Sequence, residues 1–255
     1  STSRRQRQMC IRDRYSYYNI NGGNPIKAVE EGLNQLNDEC LKQNAVLNIK
    51  GSCSTGYGED LIRSAFQLHS GIIETIAHYM AAHYLNKDVS FILDIGGQDI
   101  KAISIDENGA VKNFLMNDKC AAGTGRFLEM MARTLGLSLE EMSTRGLEWK
   151  ENVVISSMCT VFAESEVVSL VAQNKDVADI IHGLNVSVAS KVGALAARLG
   201  KKNPGEYMMT GGVAKNPGII KALEEKLDAK LYICDEAQLC GALGAALFAY
   251  EKCSV

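Results

Sequence analysis

The sequence lacks the patterns that mark several common kinds of site. It has no C-x-x-C pair, which argues against a zinc ribbon or a thioredoxin-type centre. It also has no G-x-x-x-x-G-K-[ST] or G-x-G-x-x-G segment, so a Walker A loop and the dinucleotide-binding fingerprint are both missing. The net charge is only −3 and no apolar run is long enough to span a bilayer, so we expect no nucleic-acid partner and no membrane partner.

What is present is the composition of a globular protein. Of the 255 residues, 46% are hydrophobic and 22% are charged, which allows one large domain or two medium lobes with real cores. The eight cysteines are scattered rather than spaced as a disulfide framework, and no apolar signal segment stands at the start. We therefore expect a reducing, cytoplasmic location.

Alternating helix and strand patterns predict an α/β fold. The apolar run SFILDIGG (90–97) is typical of a buried strand, and residues 99–117 predict a hairpin that turns at 107–109. Further strands are expected at 45–53, at 206–210 before a glycine pair, and at 229–234, with helices between them. Because a hairpin lies within the series, the sheet should be mixed.

The segment DIGGQD follows the buried strand directly. Gly96 and Gly97 would let backbone amides approach a phosphate that a Cβ atom would obstruct. Asp94 and Asp99 could hold Mg²⁺ directly or through water, and Gln98 could orient a water molecule or touch the terminal phosphate. The alternative is a plain β-turn that needs glycine for its backbone angles.

The segment MTGGVAKN offers a second glycine pair at a strand end. Gly211 and Gly212 precede a helix that should start near Asn216 and Pro217, where a ribose or adenosine could lie against the backbone. Two such pairs favour nucleotide binding, although each alone could be an ordinary loop.

Cys120 and Cys159 each lie beside a predicted helix start. Helix N-termini stabilise anions and so favour thiolates or a negatively charged cluster. Two thiolates cannot complete a four-cysteine iron–sulfur site, but a symmetric dimer could. On spacing alone, two distant cysteines are more often buried apolar residues. The four histidines are expected to lie on helices without matched acids, in structural roles: His69, His78, His83 and His182.

Together these motifs resemble the ATP-dependent activators of 2-hydroxyacyl-CoA dehydratases, which are relatives of the ATPase subunits of benzoyl-CoA reductase. The resemblance runs from about residue 54 to residue 252. It rests on DIGGQD, NDKCAAGTGRFLE, CTVFAESEV, SVASKV, MTGGVAKN and GALGAALFAY, in that order. The cysteine segment NDKCAAGTGRFLE is highly specific, unlike the glycine pairs.

The resemblance implies the two-lobed actin, Hsp70 and sugar-kinase (ribonuclease H-like) fold with ATP and Mg²⁺ between the lobes. It implies a homodimer that shares one [4Fe-4S] cluster, with Cys120 and Cys159 as this chain's ligands. The resemblance implies a phosphate segment with Asp94, Gly96, Gly97 and Gln98, and an adenosine segment with Gly211, Gly212 and Lys215. It also implies that Gln238 lies close to the nucleotide.

The implied activity is ATP-driven electron transfer. A ferredoxin or flavodoxin would supply the electron, and a 2-hydroxyacyl-CoA dehydratase would receive it. A benzoyl-CoA reductase-type complex is the alternative partner. A small-molecule kinase of the same fold would not need the two cysteines, and a binding module that has lost turnover would keep only the fold. The sequence does not identify the acyl-CoA.

The chain departs from the family pattern at its start. The family opens with a G-[IVL]-D-x-G-S-T strand and turn, where this sequence has the Arg-rich head 1–14. That head is either a nucleic-acid-binding arm or a disordered or foreign stretch, and we favour the latter. We expect a truncated first lobe at 15–90, a second lobe at 91–236 and a helix at 237–255 that returns to the first lobe. A missing first phosphate loop puts ATP turnover in question.

Overall fold

The computed structural model describes residues 15–156, 159–200 and 206–253, so the Arg-rich head lies outside the described part. Nine helices occur in these ranges: α1 Pro25–Lys42, α2 Glu59–Phe66, α3 Glu74–Leu85, α4 Gly125–Thr134, α5 Leu139–Arg145, α6 Thr160–Ala172, α7 Val177–Ala197, α8 Pro217–Leu227 and α9 Cys240–Cys253. The strands of the same ranges are β1 Cys53–Ser54, β2 Ser70–Gly71, β3 Val89–Ile95, β4 Ile100–Ile105, β5 Val111–Asn117, β6 Glu206–Thr210 and β7 Leu231–Tyr232. Short 3₁₀ turns at Gly212–Lys215 and Ala237–Leu239 follow β6 and precede α9.

A five-stranded mixed sheet forms the centre, in the order β5-β4-β3-β6-β7. Strands β3, β4 and β5 are antiparallel neighbours, whereas β6 is parallel to both β3 and β7. The hairpin turn closes at Gly109, whose φ of +75° is easily adopted by glycine. The predicted α/β class and the mixed sheet are therefore confirmed, and the topology is that of an actin- and sugar-kinase-like fold.

Strand β3 is buried on both of its faces. Phe91, Leu93 and Ile95 belong to a cluster with helices α4, α7 and α8 on one side of the sheet. Ile92 belongs to a second cluster on the other side, where it packs with Ala81 of α3. This two-sided burial explains the unbroken apolar run in the sequence, since a strand with one wet face would alternate apolar and polar residues.

A small layer covers the second face of the sheet. Helix α9 packs against α3 so closely that an added Cβ at Gly244 would lie 1.7 Å from the Ala77 carbonyl oxygen. The two-residue strands β1 and β2 pair in parallel beside these helices. The C-terminal helix thus contacts the part of the chain predicted to be the first lobe. The lobe boundaries themselves remain a prediction.

Two sequence expectations need adjustment. The strand predicted at 45–53 is present only as Cys53–Ser54, and Val46 is 92% exposed, so this stretch has no partner edge to pair with among the described residues. The strand predicted at 229–234 is shortened to Leu231–Tyr232.

Helix α7 is long and apolar enough to cross a membrane, but 61% of its apolar window is buried, which is typical of a core helix.

Candidate functional site

Two glycine turns meet at one edge of the central sheet. β3 leads into Gly96 and β6 leads into Gly211, and the two strands are parallel neighbours with Asp94 paired to Thr210. Because parallel strands end at the same edge, both turns open into the same place. They border a cavity of about 1490 Å³. This is large enough for a nucleotide-sized ligand, since such pockets are commonly ~300–1,000 Å³.

Most of the residues predicted to bind nucleotide border this cavity. From the first segment they are Asp94, Gly96 and Gly97, and from the second they are Gly211, Gly212 and Lys215; Gln238 borders the cavity as well. Gln98 is exposed on the same turn but does not line the cavity. The cavity therefore brings together the two segments that were inferred separately from the sequence.

Gly211 is held in a position that requires glycine. Its φ is +87°, and an added Cβ would lie 2.3 Å from the carbonyl oxygen of Ile95. Its amide donates a hydrogen bond of 2.8 Å to the carbonyl of Ala237 in the 3₁₀ turn that carries Gln238. The second glycine turn is thus packed against β3 and tied to the segment before α9.

A buried charged network lies beneath the first glycine turn, and sequence reasoning did not find it. The Lys101 ammonium is 2.6 Å from Asp99 Oδ2, 3.1 Å from Glu74 Oε2 and 3.6 Å from Asp94 Oδ2. Lys101 is 2% exposed. Asp99 also accepts a hydrogen bond of 3.2 Å from the hydroxyl of Tyr57, which comes from the loop before α2.

His78 belongs to the same network, so the expectation that the histidines have no matched acid is wrong for this one. Its Nε2 lies 3.5 Å from Asp94 Oδ2 and 3.8 Å from Glu74 Oε1. Its Nδ1 is 3.2 Å from Thr210 Oγ1, which donates a hydrogen bond of 2.9 Å to Asp94 Oδ1. His69 differs in another way, because it lies in a turn, where it contacts Ser52.

The carboxylates set the ionisation of their partners. Hydrogen bonding to His78, followed by the nearby Lys101 charge, outweighs burial and lowers the pKa of Glu74 to about 2. Burial works to lower the pKa of His78, but the attraction of Asp94 and Glu74 prevails and raises it. The pKa of Lys101 is likewise raised because Asp94, Asp99 and Glu74 overcome its burial. The group is therefore charged and internally paired.

The network bears on where a divalent metal could be held. Glu74, His78 and Asp94 each present a ligand atom within 4.8 Å of the others. Lys101 already contacts both carboxylates, and both Asp94 oxygens have partners. Asp94 therefore fits a hydrated Mg²⁺ ion, held through water, better than one bound directly.

A sequence signal for the network exists in hindsight. Glu74 and His78 are spaced i, i+4 on one helix face, and Lys101 lies inside a strand that is otherwise apolar apart from its serine. A lysine is almost never fully buried unless it is paired. Its position in IKAISI thus pointed to buried acids nearby, although the sequence alone did not say which ones.

Neither Cys120 nor Cys159 lines the cavity. Both thiols are exposed, so the interpretation as buried apolar residues is wrong for this pair. Cys159 is the residue that immediately precedes α6, whereas Cys120 lies five residues before α4 begins. Burial lowers the pKa of Lys191, and the two cysteines both act to raise it. The two thiols therefore lie within electrostatic reach of the same ammonium group.

Helix α4, which follows Cys120, is connected to the first glycine turn by backbone hydrogen bonds. The amide of Gly125 donates to the Gly96 carbonyl and the amide of Arg126 donates to the Gly97 carbonyl, each at 2.9 Å. An added Cβ at Gly125 would lie 3.2 Å from the Cα atom of Gly97. The N-terminus of α4 thus rests directly on the turn that borders the cavity.

The two helices that follow the cysteines also pack on each other. Thr134 at the end of α4 donates a hydrogen bond of 3.1 Å to Glu164 of α6, and Ala163 and Val167 of α6 are buried in the cluster that holds Phe127 of α4. A displacement of α4 would therefore be felt by both cysteines.

The chain matches known proteins over most of its length. Residues 12–249 match the model of the BadF/BadG/BcrA/BcrD ATPase family. The (R)-2-hydroxyglutaryl-CoA dehydratase activating ATPase of Acidaminococcus fermentans is 46% identical over 199 residues, which are 78% of this chain and 75% of the relative.

Solved structures of activators are also similar to this chain. The crystal structure of the A. fermentans (R)-2-hydroxyglutaryl-CoA dehydratase component A has a TM-score of 0.82 at 40% identity, covering 91% of this chain and 87% of that one. The activator of the 2-hydroxyisocaproyl-CoA dehydratase from Clostridium difficile, with bound ADPNP, has a TM-score of 0.80 at 37% identity, covering 94% and 84%.

Proposed function

Because this chain belongs to the BadF/BadG/BcrA/BcrD ATPase family, we propose that it binds and hydrolyses ATP between its two glycine turns and thereby drives an electron to a 2-hydroxyacyl-CoA dehydratase. The A. fermentans relative supports an ATPase that activates a dehydratase, and the ADPNP bound to the structural neighbour supports a nucleotide site. The electron transfer is proposed on the sequence resemblance. A benzoyl-CoA reductase-type complex remains the alternative partner, on the sequence resemblance. A ferredoxin or flavodoxin is the proposed electron donor on the same ground.

The nucleotide part assigns a task to each turn. Gly96 and Gly97 border the part of the cavity where the phosphates would lie, and Gly212, Lys215 and Gln238 border the part where adenosine would lie. Asp94 would hold Mg²⁺ through water, and Gln98 would reach the terminal phosphate or orient the attacking water from its exposed position.

The redox part assigns Cys120 and Cys159 as ligands. Their thiols are soft donors that suit iron, both are exposed, and both lie near Lys191, whose positive charge would stabilise an anionic centre. Among the described residues no third ligand joins them in a group of three. A [4Fe-4S] cluster completed by the same two cysteines of a second copy would supply the transferable electron when bound.

The surface around Cys159 supports the homodimer. The first turn of α6 presents Val161 and Phe162, which are 63% and 68% exposed, and Val168 one heptad further is 54% exposed. Ser165 lies between Val161 and Val168 on this helix face, so the exposed apolar side chains are grouped mainly at the first turn of α6, where they suit an interaction surface. A second copy placed on it by a two-fold axis would bring the four thiols together.

The observation that carries the proposal is the pair of hydrogen bonds from α4 to the first glycine turn. A phosphate bound at that turn contacts the same peptide groups whose carbonyls hold Gly125 and Arg126. Any change in the turn between ATP and ADP is therefore passed to α4 and to the segment that carries Cys120. ATP can perform this work only if it binds the two arrangements with different affinity.

The first experiment tests the nucleotide site with Gly97→Ala. Gly97 has no positive φ, and an added Cβ meets nothing within 4 Å, so the variant should fold as the wild type does. A bound phosphate would meet that methyl group, and we expect ATP affinity to fall by about tenfold or more. Gly58→Ala is the matched control, because its Cβ also has space at 4.0 Å. Unchanged ATP binding in Gly97→Ala would place the phosphates elsewhere.

A second experiment tests the metal ligands. The protein purified without oxygen should contain roughly four iron atoms per two chains, as expected for one shared [4Fe-4S] cluster. Cys120→Ala and Cys159→Ala should each lose the iron and the dimer while retaining ATP binding, because neither cysteine borders the cavity. A colourless protein that phosphorylates a sugar or carboxylate would instead favour the small-molecule kinase.

A further inference from the structure

A close pair of thiols lies beside the second glycine turn, and the proposed function does not use it. The sulfur atoms of Cys234 and Cys240 are 3.8 Å apart. Cys234 follows strand β7 and is half-buried, whereas Cys240 begins α9 and is buried. Cys234 follows β7 at one edge of the central sheet, whereas Cys120 follows β5 at the opposite edge.

The five residues between these thiols hold part of the proposed nucleotide site. The Ala237 carbonyl accepts the amide hydrogen bond of Gly211 at 2.8 Å. Gln238 borders the cavity, and its Nε2 atom lies 3.5 Å from where a Cβ of Gly212 would be. A change in the shape of this segment therefore changes the second glycine turn.

We propose that Cys234 and Cys240 form a reversible oxidation site, whose disulfide reshapes the segment 235–239 and weakens ATP binding. The effect on ATP rests on the proposed function, whereas the oxidation site itself does not. The required oxidant is a peroxide, which has access through the half-buried Cys234.

The chemistry balances with hydrogen peroxide as the oxidant. The Cys234 thiolate attacks one peroxide oxygen, the O–O bond breaks, and a sulfenic acid forms with release of hydroxide, which takes up a proton as water. Cys240 sulfur then attacks the Cys234 sulfur, the S–O bond breaks, and a second water leaves. Two thiols are oxidised by two electrons, and one peroxide is reduced to two waters.

The surroundings assign the two roles. The two sulfurs are in hydrogen-bond contact, which lowers the pKa of Cys234, and Cys234 is also the more exposed of the two, so it is the better nucleophile. The same interaction, together with burial, raises the pKa of Cys240. Cys240 Sγ also contacts the Glu236 carbonyl at 3.5 Å. Cys234 is therefore the attacking residue, and Cys240 is the resolving residue.

The disulfide must deform the segment between them. A disulfide places its sulfurs ~2 Å apart, so the present pair has to approach by almost half of its separation. Cys240 is fixed by the start of α9 and by its burial against Ala81 and Met208. Cys234 and the short segment after it have to move instead, and Ala237 and Gln238 move with them.

The sequence gives a direct readout of the bond. Trypsin cleaves after Lys230 and Lys252, so residues 231–252 form one peptide that contains Cys234 and Cys240 and no other cysteine. The full-length protein is reduced, treated with stoichiometric hydrogen peroxide, alkylated with iodoacetamide and digested. We expect this peptide to lose two hydrogen atoms and to carry no alkyl group. Dithiothreitol before alkylation should restore two alkylated cysteines.

ATP binding is measured on the same samples by calorimetry. We expect peroxide to weaken the ATP affinity of the wild type about fivefold or more, a typical coupling between two sites, and dithiothreitol to restore it. Cys234→Ser should show no such loss, although its other cysteines meet the same peroxide. Cys40→Ser, a half-buried single thiol in α1, should respond as the wild type does.

Each outcome decides one part. A peptide 231–252 that stays fully alkylated after peroxide overturns the oxidation site. A disulfide that leaves ATP affinity unchanged, or an equal loss in Cys234→Ser, overturns the effect on nucleotide binding. A reduced protein that never binds ATP contradicts the proposed function instead, and the peptide still decides whether the oxidation site exists.

Discussion

The buried cation at Lys101 gives the most demanding test of the site's physical basis. One ammonium group contacts three carboxylates, at 2.6, 3.1 and 3.6 Å. At an effective dielectric constant near 20, each such contact is worth roughly 5 kcal/mol before the cost of burial is subtracted. Removing one partner of a buried ion pair typically costs about 3–5 kcal/mol, because the remaining charges stay buried.

We therefore expect Lys101→Met to lower the free energy of unfolding by about 3–5 kcal/mol at pH 7.5. Methionine keeps the length of the buried side chain, so the loss reports charge rather than a cavity. The loss should shrink towards pH 5, because the carboxylates left without a cation take up protons and become neutral. In the wild type Glu74 resists this, since its pKa is lowered to about 2.

The assay is urea unfolding followed by circular dichroism, at several pH values and with equal m-values as the condition for comparison. Lys27→Met is the control, because Lys27 is 67% exposed and its contact with Glu31 is a surface pair at 3.8 Å. Such pairs contribute little, so no measurable loss is expected there. If Lys101→Met lost less than about 1 kcal/mol, or the same amount at every pH, the account of the buried network would be wrong.

Three further predictions test the helices and the histidine. Gly244→Ala should destabilise the fold by about 3 kcal/mol in urea unfolding, because its Cβ would lie 1.7 Å from the Ala77 carbonyl. Ser138→Ala should cost about 1 kcal/mol by removing the capping box of α5. His78→Gln should lower stability most below pH 6.5, where protonated His78 pairs with Asp94. The gap to the wild type should close as pH rises through the raised pKa of His78 and should not widen.

Local patterns were enough to predict the frame of the molecule. The unbroken apolar run of β3 and the hairpin after it depend on neighbouring residues in the chain, and the structure has both. The predicted lengths of the strands at 45–53 and 229–234 were wrong for a related reason. A stretch such as 45–53 becomes a strand only where an edge is available to pair with it, and its own sequence does not carry that information.

The same distinction between features set by neighbouring residues and features set by distant residues applies to the candidate site. The glycine turns were predictable because each closes a strand within a few residues, and parallel pairing of β3 with β6 then brings them together. The charged network was not predictable, because Glu74 and His78 come from α3 while Lys101 comes from β4. Its members are separated along the chain, and only tertiary packing brings them into contact.

The buried charged network around Lys101 and the helix that follows Cys120 together determine how a nucleotide could act on this fold. On one side, the first glycine turn is anchored by Asp99, which is buried and bonded to Lys101. On its other side the turn accepts hydrogen bonds from the first amides of α4, at Gly125 and Arg126, which are half-buried and exposed. A ligand that moves the turn therefore displaces α4 rather than the network, since breaking buried ion pairs costs more than shifting a helix end. To convert the molecule almost fully between two such states, ATP must favour one of them by about 5.5 kcal/mol, and that preference would reach Cys120 through α4.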